Sequence, residues 1–231
     1  MNNKHAIHKQ LTTHYSLLTN FAFTLAETLI VMGIIGVVAA LTLPNLNSST
    51  GDKEKVVKVK KIYQNLNDAM GRAVAVYGPY DEWFVNDANA TAQITRTGER
   101  LTEFIKVSKN CKMTKGCYTS GNGNNSYYEF ILADGTAVST NTSYIHIDID
   151  GLNKGKNSDR YDRFGFLLDN NGVNIYPMDN ATFHVCHQHD VDVPAASWII
   201  NYENMDYLKA DYNGKCPNGT VLTYPTITSC N

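Results

Sequence analysis

The apolar positions of the chain fall into three textures. Residues 23–43 read FTLAETLIVMGIIGVVAALTL, an almost purely apolar run. At about 1.5 Å per residue, a helix of this length would cross a hydrocarbon layer of roughly 30 Å. After Pro44 comes a polar stretch, residues 45–55, and then Val59, Ile62, Leu66, Ala69, Ala73 and Tyr77 recur at steps of three and four. That spacing predicts one buried face of an amphipathic helix. Gly78 and Pro79 predict its end. Pro44 removes one backbone donor and predicts a kink or a locally loosened stretch rather than a stop, so a single helix from about Thr24 to Tyr77 is expected.

Residues 80–231 are richer in Tyr, Asn, Asp and Gly and hold short alternating segments. Residues 97–107 read as a short helix. Residues 127–132, the turn Asp134 and Gly135, and residues 137–139 read as a hairpin. Residues 143–149 alternate as a strand, and residues 163–168 with the turn at 169–172 and residues 173–176 read as a second hairpin. Trp198, Ile199 and Ile200, with residues 205–208, read as core pieces under a loop. The expected class is α+β: a long N-terminal helix, half transmembrane and half amphipathic, packed on a mostly antiparallel β-sheet head.

Charge sharpens this picture. Lys and Arg total 20 against 22 Asp and Glu, a formal charge of -2, which gives no electrostatic reason to expect nucleic-acid binding. Between Lys9 and Asp52 the only formal charge is Glu27. A secretory signal would place its apolar stretch first and a small-residue cleavage site after it. Here residues 1–22 are polar, with Lys4 and Lys9 and no acid, and the apolar run follows. All five cysteines, Cys111, Cys117, Cys186, Cys216 and Cys230, lie downstream, which suits an oxidising compartment. The short Cys111 to Cys117 spacing is the easiest to close and Cys216 with Cys230 the next, leaving Cys186 over; reduced, buried thiols are the other reading, since spacing alone does not fix connectivity.

The residues Ala22, Phe23, Thr24, Leu25, Ala26, Glu27, Thr28 and Leu29 resemble the cleavage and methylation motif of type IV pilins and type II secretion pseudopilins, with Ala22 where the family usually has Gly. The resemblance implies a prepilin leader at 1–22, an assembly helix and stalk at 23–78 and a pilin-like head at 79–231. It further implies cutting between Ala22 and Phe23 by prepilin peptidase, N-methylation of Phe23, and polymerisation through the helix with other pilin or pseudopilin subunits. The expected place is the bacterial inner membrane, single-pass, with the head in the periplasm or on an extracellular filament, and no enzymatic activity. A carboxylate inside lipid is costly and needs a partner; for Glu27 that partner would be the Phe23 amine of the same or a neighbouring subunit. A plain count of flanking lysines favours the opposite orientation, because Lys53, Lys55, Lys58, Lys60 and Lys61 follow the run. They are interleaved with Asp52 and Glu54 and belong to the stalk, so the motif decides. The alternative is a membrane-tethered binding or enzymatic domain that keeps this anchor without polymerising.

Two clusters offer further chemistry. In the segment 148–162, Asp148, Asp150, Asn157 and Asp162 surround glycines and supply hard oxygen ligands in a tight loop, as calcium needs, without the spacing of an EF-hand. It resembles the Asp, Asn and Gly loop that calcium holds together in some pseudopilins; a solvated loop of Asx turns is the plain alternative. His184, Cys186, His187, His189, Asp190 and Asp192 could ligate a transition metal, but alternation on a strand edge produces such a cluster by chance. Gly121, Asn122 and Gly123 lack the strand-to-helix context of a phosphate cradle.

Overall fold

The computed structural model describes residues 24–84, 89–118, 126–152, 154–156, 158, 160–169, 174–178, 195–223 and 225–230, with side chains at 40–50 outside the description. The chain divides into two units, Met1–Leu46 and Asn47–Asn231. Helix α1 (Leu25–Tyr77) belongs to both.

In the first unit the described part of α1 beyond Thr28 is apolar apart from its glycines. Its large apolar side chains from Leu25 (79% exposed) to Val38 (54%) lie more than half exposed. Among the described residues no helix is long and apolar enough to cross a membrane; within residues 23–43, side chains are described at 24–39 only.

In the second unit α1 becomes amphipathic, and the expected face is the buried one: Val59, Ile62, Leu66, Ala69 and Ala73 are fully buried, joined by Val56 and Met70. The helix stops where expected. Gly78 N–H donates to Val74 O at 2.9 Å, and Pro79 follows. A 3₁₀ turn (Tyr80–Phe84) leads to α2 (Ala90–Phe104).

Six strands then form one antiparallel meander: β1 (Val107–Lys112), β2 (Tyr128–Leu132), β3 (Ala137–Thr140), β4 (Tyr144–Asp148), β5 (Arg163–Leu168) and β6 (Ile175–Pro177), in sheet order β1-β2-β3-β4-β5-β6. Period-two alternation sends Phe130, Val138, Ile147 and Phe164, paired across the strands, into the core that α1 covers. Tyr63 of α1 stacks on Phe166 of β5 with centroids 5.4 Å apart. Asn67 Oδ1 accepts the Ile175 N–H of β6 at 2.9 Å, which ties the far edge of the sheet to the helix. Helix α3 (Ala196–Tyr202) and a 3₁₀ turn (Asp206–Leu208) close the remaining core with Trp198, Ile199 and Tyr207.

Two expectations for the head need correction. The helix expected at 97–107 is α2, which starts seven residues earlier because Asn89 caps it, its Oδ1 accepting the Ala92 N–H at 2.9 Å. The helix ends at Phe104, three residues before the expected end, and residues from Val107 onward pair with β2 as an irregular edge strand. Both expected hairpins form, as β2–β3 and β5–β6.

Candidate functional site

The start of α1 is organised by one residue pair. Thr24 Oγ1 accepts the Glu27 N–H at 3.2 Å, while Glu27 Oε2 accepts both the Thr24 N–H and its hydroxyl at 2.9 Å. This is a reciprocal capping box, which satisfies donors that the first helical turn leaves open and sets an acid at the positive end of the helix. Glu27 is therefore fixed at the tip of an exposed apolar helix, with its carboxylate turned back toward residue 24. Ala22 and Phe23, the expected cut and methylation positions, lie outside the described residues. Thr24 was not singled out from the sequence as the partner of Glu27, although the spacing Thr24-x-x-Glu27 is itself a capping signature.

The second candidate is the loop between β4 and β5. Asp148 (1% exposed) receives the Gly151 N–H at 3.0 Å and Arg163 Nε at 3.2 Å. Asp162, fully buried, takes the Lys156 N–H on Oδ2 at 2.6 Å and the Ser158 N–H on Oδ1 at 2.7 Å. Asp150 comes in from the other side: a β-carbon at Gly155 (φ +63°) would lie 2.4 Å from Asp150 Oδ2 and 2.5 Å from Asp162 Oδ2. Only glycine fits there, for both its backbone angle and its lack of a side chain. Lys55 Nζ from α1 caps Tyr161 O at 3.1 Å and Tyr207 OH caps Arg160 O at 2.7 Å.

Burial pushes the Asp148 carboxyl above the usual aspartate range, against the opposing pull of Arg163. Calcium takes six to eight oxygens. The oxygens of Asp148 and Asp162 instead face N–H donors of the chain itself. Among the described residues no group of three or more His, Cys, Asp or Glu side chains is placed to hold a metal ion. Asn157, the fourth expected ligand, lies outside the described residues, as do Asn153 and Asp159 of the same loop. Arg163, whose guanidinium compensates Asp148, was not singled out from the sequence, although it directly follows Asp162.

Both expected disulfides form, Cys111 to Cys117 with Cα atoms 6.0 Å apart and Cys216 to Cys230 at 5.5 Å, as suits an oxidising compartment. The cluster from His184 to Asp192, with Cys186, and the Gly121 to Gly123 loop lie outside the described residues. Comparison of the chain with protein-family models, with curated proteins and with solved structures finds no match.

Proposed function

We propose that the chain is a pilin-like structural subunit of a type IV pilus-like filament or a type II secretion pseudopilus, made as a precursor, cut after Ala22, methylated at Phe23 and polymerised through α1 with other subunits of its kind. The observation that carries this reading is the division of α1: the stretch from Leu25 to Val38 leaves its apolar side chains exposed, whereas Val59 to Ala73 bury theirs under the sheet. An apolar helix surface without cover needs lipid or other helices around it. Together with the apolar sequence that continues to Leu43, this supports insertion of the helix in the inner membrane before assembly. The α+β head with its antiparallel sheet on a helix agrees with the motif at residues 22–29.

In this reading Glu27 has two partners in turn. In the isolated subunit the Thr24 N–H and hydroxyl donate to its carboxylate, and in the filament the methylated Phe23 amine pairs with it. The loop between β4 and β5 is closed by its own hydrogen bonds, and calcium is no part of the proposal. The test is incorporation into filaments of a Glu27→Ala subunit beside a Thr24→Ala subunit. Loss of the cap costs about 1 kcal/mol in either variant, but only Glu27→Ala loses the carboxylate. We expect Thr24→Ala to assemble and Glu27→Ala to be absent from sheared or cross-linked filaments. Equal incorporation of both contradicts the pairing.

A further inference from the structure

The outer face of the sheet carries a buried acid that the proposed assembly does not use. Glu129, the second residue of β2 and 5% exposed, alternates with Tyr128 and Phe130 and so lies on the face away from the α1 core. Its Oε2 accepts three successive backbone N–H groups, from Gly116 at 3.2 Å, Cys117 at 3.0 Å and Tyr118 at 2.9 Å. Successive amides converging on one oxygen form an anion-binding nest, here filled by the chain's own carboxylate. The nest begins at the Cys111 to Cys117 disulfide, with Cys117 fully buried and Cys111 half-buried. Beyond it the nest fixes Tyr118, whose ring lies 6.5 Å from that of His146 and under the Arg163 guanidinium at 5.5 Å. Arg163 in turn holds Asp148 at 3.2 Å.

We propose that the Cys111 to Cys117 disulfide and Glu129 form a reducible latch on the outer face of the head. With the bridge closed, the segment from Gly116 to Tyr118 is pinned to β2 and Tyr118 covers the face beside His146. A dithiol reductant attacks the more accessible Cys111 sulfur, and the Cys117 thiolate leaves and takes up a proton. The second thiol of the reductant then displaces Cys111. The reductant gives up two electrons and two protons and becomes a disulfide, and both cysteines end as thiols. The nest then loses its tether on one side, Glu129 loses ordered donors, and Tyr118 leaves Arg163. Loss of charge-assisted bonds to a buried carboxylate is costly. Linkage requires the converse as well: if the bridge holds the nest on Glu129, then Glu129 in the nest holds the bridge closed.

The test is the equilibrium of each disulfide with dithiothreitol in the full chain in detergent micelles, read by thiol alkylation and mass spectrometry, for wild type and Glu129→Gln. We expect Glu129→Gln to make Cys111 to Cys117 about tenfold easier to reduce, a shift of about 30 mV, and to leave Cys216 to Cys230 unchanged. An unchanged Cys111 to Cys117 equilibrium overturns the latch, and so does an equal shift of both bridges. Should Glu129→Gln fail to fold, amide exchange of the wild type decides. On reduction the peptide covering 116–118 should exchange at least about tenfold faster while β4 keeps its protection. Unchanged exchange at 116–118, or loss of protection across the whole head, overturns the proposal.

Discussion

A β-carbon at Gly98 would lie 2.1 Å from Cγ of Tyr128, a fully buried ring, so α2 rests on β2 with no room for a side chain. Gly98→Ala should therefore cost about 1–3 kcal/mol through overpacking, seen as a lower midpoint in thermal or urea unfolding of the head. An unchanged midpoint would mean that α2 stands off from the sheet. Buried acids set the pH response. Burial pushes Asp206 up, but Lys209, the Cys230 N–H and the Ser229 hydroxyl outweigh it and hold the carboxyl below the usual range. A depressed folded value adds stability above the unfolded value of about 3.9, and that stability is lost as pH falls below it. Asp148, raised, acts with the opposite sign: its contribution is present at low pH and lost as pH rises through its folded value. Asp206→Asn should thus lower the unfolding midpoint at pH 7 by the equivalent of about 1–3 kcal/mol and reduce the loss seen between pH 5 and 3. A midpoint unchanged at pH 7 contradicts this anchoring of the C-terminal tail. At this scale the sequence is only partly readable. Glu27 announces itself by being alone in an apolar run, whereas Glu129 looks like an ordinary strand residue, because its amide donors lie 11 to 13 residues upstream.

Among the elements, those with a strong period are the ones legible in advance. The stalk half of α1 shows its three- and four-residue steps, and both hairpins carry Asp or Asn with Gly at their turns. Strand β1 reads VSKNCK, mostly polar and exposed, with two register shifts against β2. Pairing with β2 and the bridge at Cys111, both supplied by distant residues, make it a strand. Its lysines and irregular register also guard an open sheet edge. The start of α2 is obscured by threonines of modest helix propensity, and the Asn89 cap settles it. The loop between β4 and β5 looks like a ligand loop in sequence because Asp, Asn and Gly serve equally well to close turns by internal hydrogen bonds. That closure predicts the same unfolding midpoint in excess EGTA and at about 1 mM calcium, a concentration that fills extracellular calcium modules. A rise of several degrees with calcium would show that ligands complete a site there.

For the whole molecule, helix α1 contributes residues to both units. Its second half packs Ile62 and Leu66 into the core of the head, and the described part of its first half exposes apolar side chains behind the Thr24 and Glu27 cap, the surface that the proposed assembly uses. The α+β architecture follows from that packed helix and a simple meander; the stalk face and the two hairpins are visible in the spacing and turn residues, whereas β1 and the order of the sheet are not. The proposed assembly role rests on the motif at residues 22–29 and on the exposed apolar side chains between Leu25 and Val38, so it is the N-terminus that decides. The most direct measurement is mass spectrometry of the mature protein isolated from its native membrane. The proposal predicts an N-terminal peptide that begins at Phe23 and carries one methyl group on its amine, with no peptide from residues 1–22. Mature protein that retains Met1, or begins anywhere but Phe23, contradicts it.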